Sequence, residues 1–320
     1  ANTSWELLMS YRVCVIANHY AGQAAAQSEA LKNALALWRA YGWHVDEQYL
    51  AAPGDAERYA RDAVDQQYNL VVAAGGDGTV NEVANAVVGS SVVLAPLPIG
   101  TVNVWAREAG FSMDVIVAAQ QIINGVVGQM DVGFANGRAF LLMTGIGFDA
   151  EVVRHLYASD KRKFGVLAYI GRIWSVMWGF RSNVVTVTLD DDVMQVPLLM
   201  MVVGNTHRYA GFIPFTPAAQ LNDGLLDIKI MFGNELYTTG VFRFLMLYVY
   251  RYLPWLDRRT LLRRARRVVV TGPPIAWQVD GDYVGSTPLE ITVQSKALYV
   301  VTTPTAARRL HIVPVEMERV

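Results

Sequence analysis

Two apolar runs each empty into a glycine turn that opens a helical stretch, and the repeat of that device narrows the folds open to this chain. Leu70-Val71-Val72-Ala73-Ala74 leads into Gly75-Gly76-Asp77-Gly78-Thr79-Val80-Asn81-Glu82, and Val92 to Leu97 leads into Pro98-Ile99-Gly100-Thr101-Val102-Asn103. A continuous apolar strand is one buried on both faces, the habit of a parallel sheet covered by helices. Glycine turns bearing small hydroxyl and amide side chains expose backbone N–H groups at a positive helix end, where phosphate oxygens sit. A tight strand-to-helix turn needs glycine for its backbone alone, but the device occurs twice, and that favours phosphate binding. No Gly-Lys-Ser/Thr follows the glycines, so neither segment is a Walker A loop.

The alternation runs through the first 130 residues. Val13 to Ala17 and Trp43 to Tyr49 read as strands, Gln23 to Tyr41 and Asp55 to Gln67 as helices with Asp55 capping the second, and Asn81 to Val88 and Asn103 to Ala109 as further helices. In such sheets ligands lie at the carboxyl ends of strands, where both glycine turns fall. After about Asp131 the pattern changes to short β-rich runs: Val184 to Leu189, Val196 to Val203, Leu226 to Met231, Val268 to Thr271, Trp277 to Val279, Leu289 to Val293 and Ala297 to Thr302. Asp190-Asp191-Asp192, Asn222-Asp223-Gly224 and Asp280-Gly281-Asp282 separate them as turns, which predicts an antiparallel sandwich. Helical stretches at Phe164 to Phe180 and Tyr237 to Leu253 interrupt it. The expected fold is therefore α/β plus all-β, in two domains with the reaction site in the cleft between them.

With 320 residues and 53% apolar side chains there is material for two cores. The longest greasy stretch, Val241 to Leu256, is broken by Arg243 and Arg251 and is too short to span a bilayer. The first residues lack the pattern of a secretory signal. A lone cysteine, Cys14, excludes an internal disulfide, and no Cys/His spacing suits zinc; a reducing cytoplasm is the expected setting. A net charge of −1 gives no pull toward nucleic acid. Between Arg258 and Arg267, however, six arginines occur without an acid, directly after an aromatic run from Phe242 to Trp255. That pattern suits an anionic membrane surface, or equally a core helix followed by a solvated basic turn.

Taken in order, these motifs resemble the diacylglycerol kinase catalytic family of lipid kinases, which includes sphingosine and ceramide kinases and soluble bacterial lipid kinases. The resemblance rests on Asn18 with Ala21-Gly22, on Gly75 to Glu82, on Pro98 to Thr101 with Asn103, and on Gly145-Ile146-Gly147-Phe148-Asp149-Ala150. It continues through Lys161 to Tyr169, Pro217-Ala218, Asp223-Gly224-Leu225-Leu226-Asp227 and Asp280-Gly281-Asp282. It implies an ATP-binding domain over residues 1–131, similar to those of NAD kinase and phosphofructokinase, to which a tail from about residue 305 to 320 returns, and a β-sandwich lipid-substrate domain over 132–304. By motif position it assigns ATP contacts to Asn18, Gly22, Gly75, Gly76, Asp77, Gly78, Thr79, Val80, Asn81, Glu82, Gly100, Thr101 and Asn103. Magnesium is implied near Asp223, with backbone oxygens of Gln220 and Leu225 as partners and Asp131 holding its waters. Asp149 and Arg107 are the substrate candidates, Asp149 serving equally well as a helix cap for Glu151 to Tyr157.

The family's proton acceptor is a glutamate where this chain has Asp282, one methylene shorter, so Asp280 or Asp77 could share the catalytic role. Val104 replaces a common aspartate and Leu50 a common threonine. The implied activity is ATP- and Mg2+-dependent phosphorylation of a lipid hydroxyl, most simply that of diacylglycerol, at the inner face of the membrane by a peripheral protein, possible as a homodimer. Ceramide, a sphingoid base, phosphatidylglycerol or, with less support, NAD are alternative acceptors. Gly145 to Ala150 also fits a dinucleotide fingerprint, but no second parallel strand ending in an acid follows. A lipid carrier without catalysis would need neither the phosphate turns nor the aspartate pair.

Overall fold

In the computed structural model, residues 11–18, 24–155, 176, 180–209, 213–216, 218–232 and 260–315 are described. The expected helices at Phe164 to Phe180 and Tyr237 to Leu253 lie outside them almost entirely, as do Gly22 and Lys161 to Lys163. The chain divides into two compact units: residues 1–132 with 221–223 and 295–320, and residues 133–220 with 224–294.

The first unit is built on β1 (Arg12–Ala17), α1 (Ala24–Ala40), β2 (His44–Tyr49), α2 (Asp55–Asp65), β3 (Leu70–Gly75), α3 (Asp77–Val87), β4 (Val93–Pro98), α4 (Val104–Glu108) and α5 (Val115–Ile123). Its strands pair in parallel in the order β2-β1-β3-β4. Every residue of β3 and β4 is buried, as the uninterrupted apolar runs require for strands covered on both faces. Helices α1 and α5 pack together, with Trp38 Nε1 donating to the Ala119 carbonyl, and α2 packs on α3. Two boundaries differ from the expectation. Gly54, with left-handed backbone at φ 85°, caps α2, while the Asp55 carboxylate turns back to the amides of Ala51 and Ala52 and to Arg58. Helix α3 begins at Asp77 rather than Asn81, because packing of Val80, Val83, Ala84 and Val87 outweighs the poor helix propensity of Gly78.

The second unit is antiparallel. Strand β5 (Val126–Ala135) leads into β6 (Arg138–Phe140), β7 (Met143–Gly147), α6 (Phe148–Arg154), β8 (Asn183–Leu189), β9 (Asp192–Gly204), β10 (Arg208–Tyr209), β11 (Ile213–Pro214) and β12 (Leu226–Phe232). Later in the sequence come β13 (Thr260–Ala265), β14 (Arg267–Thr271), β15 (Ala276–Val279), β16 (Asp282–Ser286) and β17 (Leu289–Thr302), whose end belongs to the first unit together with α7 (Pro304–Arg309). The long β9 pairs β8 along its first half, and β7 and β12 along its second. Val185, Val187, Val268, Val270 and Ile291 share one core with Ile146, Met201, Val203, Ile228 and Trp277, the inward-facing residues of a sandwich.

Two expected strands, Leu289 to Val293 and Ala297 to Thr302, are one strand, β17, with Lys296 at φ 51° along it. Its last residues pair in parallel with β4, Tyr299 opposite Val93, so the chain rejoins the first unit at Ser295 rather than near residue 305. From Thr260 the basic stretch is strand, β13 and then β14, where a solvated turn was one expectation. Strand β5 escaped the pattern because Gly128, Asp131 and Gly133 interrupt its apolar run, whereas β7 is the apolar strand expected before Asp149. Strand β7 pairs antiparallel with both β9 and β15, which removes the parallel βαβ unit that a dinucleotide fingerprint needs.

Candidate active site

Strand order reverses between β1 and β3, and at such a switch point the carboxyl ends open a crevice for ligands. Asn18 leaves β1 there, its N–H donating to the Ala74 carbonyl at 2.9 Å and its Nδ2 standing 3.4 Å from Thr79 Oγ1. Gly75 ends β3 because a Cβ at this position would lie 2.3 Å from that hydroxyl. Gly76 caps α3 with an extended backbone and no side-chain hydrogen bond. The Val80 N–H bonds the Gly76 carbonyl at 3.1 Å, so the amides of Gly78 and Thr79 precede the first intrahelical bond. Here the helix end is positive and carries no capping side chain, which suits phosphate oxygens.

The second turn lies directly against the first. A Cβ on Gly100 would stand 2.4 Å from Gly76 Cα and 2.7 Å from Asn103 Oδ1. Asn103 adopts the left-handed region at φ 54°, and its Nδ2 donates to the Gly100 carbonyl at 2.8 Å. Its Oδ1 is buried with no hydrogen-bond partner among the described residues, a polar atom aimed at the turn. Thr101 is exposed beside it, and the Arg107 Nε donates to the Val102 carbonyl at 2.9 Å, which holds an exposed guanidinium over the turn.

Four expected ATP contacts are spoken for within the fold. Both oxygens of Asp77 accept backbone N–H groups, from Val104 at 3.0 Å and Trp105 at 2.9 Å. The five-residue α4 thus has its positive end answered by Asp77, and of the two helices at these turns α3 is the one whose end has no side-chain cap. Asp77 braces one turn on the other, which corrects its place among the proton acceptors. The Glu82 carboxylate accepts from the amides of Gly54, Ala56 and Glu57 at the head of α2; burial pushes its pKa up and those amides pull it back. Val80 is a core side chain, and buried Asn81 accepts from Asn85 Nδ2 through both its carbonyl and its Oδ1.

Asp131 is fully buried and its Oδ1 accepts from Ser295 Oγ at 2.9 Å and the Lys296 N–H at 2.8 Å, where β17 bends. Its own N–H donates to the Leu221 carbonyl at 2.7 Å, which pins the Leu221-Asn222-Asp223 turn beside it. Asn222 Nδ2 fastens the same turn to the His311 carbonyl. Among the described residues no three His, Cys, Asp or Glu side chains gather at a metal site. Asp223 carries a carboxylate, a hard oxygen donor of the kind that magnesium takes together with water.

In the second unit, Asp280 and Gly281 form the turn between β15 and β16, at φ 47° and 90°. The Asp280 carboxylate accepts the N–H groups of Leu141, Leu142 and Met143 at 2.9 to 3.0 Å. Both its oxygens are committed to the β6–β7 connection, so Asp280 is a brace and not a second acid. Asp282 opens β16 with a half-exposed carboxylate 3.8 Å from the Arg138 guanidinium. Asp149, 3% exposed, is the second residue of α6, whose cap is Gly147, so the capping expectation does not hold. Burial pushes its pKa up to about 6, against a 2.8 Å hydrogen bond from Gln278 Nε2. Gln278 was not singled out from the sequence, although a lone amide in the apolar strand Ala276-Trp277-Gln278-Val279 was there to be noticed. Arg138 carried no signal at all.

Residues 12–135 match the family described as Diacylglycerol kinase catalytic domain, and residues 143–302 match the YegS C-terminal NAD kinase beta sandwich-like domain. The chain is 29% identical over 273 residues to a Bacillus subtilis protein named Diacylglycerol kinase, covering 84% of this chain and 89% of that one. It is 31% identical over 238 residues to a Pseudomonas putida protein named "Probable lipid kinase YegS-like", covering 72% and 80% respectively. The crystal structure of a diacylglycerol kinase from Bacillus anthracis superposes with a TM-score of 0.75 at 25% identity, over 92% of this chain and 98% of the other.

Proposed function

Because the chain belongs to the lipid kinase family that carries the diacylglycerol kinase catalytic domain, we propose that it moves the γ-phosphoryl group of ATP to the hydroxyl of a membrane lipid, diacylglycerol foremost. The observation that carries this reading is the backbone contact between Gly76 and Gly100 beside the α3 end that no side chain caps. Two turns that exclude side chains leave amides, the Thr101 hydroxyl and the Arg107 cation to receive a polyphosphate. Asn18 and Thr79 line the same place.

For the transfer, the lipid hydroxyl oxygen bonds to the γ-phosphorus while the bond to the β–γ bridging oxygen breaks and ADP leaves. The hydroxyl proton passes to the Asp282 carboxylate, which is half exposed and 3.8 Å from the Arg138 guanidinium. Arg138 is the cation that this carboxylate faces. A magnesium ion, when bound, neutralises charge on the phosphate oxygens; the Asp223 carboxylate would help to hold it. With diacylglycerol the product is phosphatidic acid. No helix of the described residues is long and apolar enough to cross a membrane, and a lipid acceptor would be reached from the surface, at the inner face of the membrane.

Transfer of radiolabelled γ-phosphate to diacylglycerol, ceramide, sphingosine, phosphatidylglycerol and NAD in mixed micelles tests the reading. We expect label in phosphatidic acid, and a loss of turnover of about a hundredfold or more in Asp282→Asn with ATP affinity preserved. Labelled NAD with unlabelled lipids would overturn it.

A further inference from the structure

We propose that Asp149 is a positioning residue: through the side-chain amide of Gln278 it holds the turn that presents Asp282. This rests on Asp282 as the proton acceptor and assigns to Asp149 a part other than contact with substrate.

The chain of contacts is short and buried. Gln278 Nε2 donates to Asp149 Oδ2 at 2.8 Å, and Gln278 Oε1 accepts from the Gly281 N–H at 2.7 Å. Gly281 directly precedes Asp282. A side-chain amide has one donating and one accepting end, so a carboxylate on one side and an N–H on the other permit a single orientation of Gln278. The Thr144 hydroxyl fixes the backbone of the same residue, donating to the Gln278 carbonyl at 2.6 Å. Asp149 and Gln278 are 3% and 2% exposed, so water does not compete for these bonds.

The surroundings are built to admit the pair. A Cβ on Gly145 would stand 1.9 Å from Asp149 Oδ2 and 2.7 Å from Gln278 Nε2, and only glycine leaves room. The turn is thereby clasped from two directions, by the Asp280 carboxylate on Leu141 to Met143 and by Gln278 on Gly281. Asp282 is a methylene shorter than glutamate and must rely on backbone placement for its reach, so a loosened turn costs catalysis before it costs binding.

Steady-state kinetics on the full chain with ATP and diacylglycerol micelles, combined with hydrogen exchange at the Gly281 amide, separate the possibilities. Asp149→Leu and Gln278→Met should each lower kcat about thirtyfold with both KM values within about twofold, and the double variant should be no slower than either single one. Asp149→Asn, whose carbonyl still accepts from Nε2, should recover most of that loss, to within about fivefold of the parent. Exchange at Gly281 should quicken in the Leu and Met variants and not in Asp149→Asn. Unchanged Gly281 exchange in Asp149→Leu would overturn the proposal, and so would a raised lipid KM at unchanged kcat, which makes Asp149 a headgroup contact. Asp282→Asn at the parent's turnover would refute the base instead, and the exchange data would still decide whether Asp149 holds the turn.

Discussion

Four carboxylates near glycine turns differ in what their oxygens already hold. Asp77 answers α4, Asp280 answers the Leu141 to Met143 segment and Asp131 answers Ser295 and Lys296, whereas Asp282 faces only partly out of water toward Arg138. A carboxylate fastened to backbone amides is a poor proton acceptor, because those bonds occupy its oxygens and block the approach of a hydroxyl. Asp149 differs again, since burial raises its pKa in the folded protein to about 6 from the ordinary 3.8. The folded protein therefore keeps a proton that the unfolded chain has lost, and stability falls as pH rises through that window and is flat above it. Asp149→Asn removes the slope: relative to the parent, the variant should gain roughly 3 kcal/mol between pH 4 and pH 7 in urea denaturation. A constant difference across that range would show the carboxylate to be solvated. At this scale the motif residues were legible by type but not by partner, since Asp-Gly spelling is the same whether a carboxylate braces a turn or takes a proton.

Among the elements, α3 joins the most functions: its N-terminus faces the glycine turns and its Glu82 caps α2 from a turn further along. Glu82→Ala should lower stability by about 1 kcal/mol, as loss of a helix cap does, with ATP affinity within about twofold. An ATP affinity that fell tenfold with stability intact would return Glu82 to the phosphate site. The buried strands β3 and β4 were legible because parallel strands covered on both faces leave an unbroken apolar signature. Strand β5 was not, since Gly128 and Gly133 accommodate Ile312 and Phe140 against the backbone, contacts that periodicity cannot carry. The bend of β17 at Lys296 likewise depends on Asp131, more than 160 residues away in the chain.

On the scale of the molecule, the arginine-rich stretch is partly claimed by the fold. Arg264 pairs with Asp227 at 3.2 Å and Arg267 with Glu290 at 2.6 Å, while Leu262, Arg263 and Arg266 remain exposed on or beside β13. We propose that these exposed residues meet an anionic membrane surface. Sedimentation with phosphatidylglycerol vesicles should fall severalfold in the Arg263→Gln, Arg266→Gln double variant without a change in ATP binding, and equal pelleting of variant and parent would remove membrane contact from this strand. The central claim concerns the paired glycine turns. Calorimetric titration of magnesium-ATP into the parent, Asp282→Asn and Gly100→Ala tests it most directly: the first two should bind alike, and Gly100→Ala, with its Cβ driven against Gly76, should bind at least about tenfold more weakly. Absence of heat with the parent, or a Gly100→Ala isotherm that matches it, would contradict the phosphate cradle.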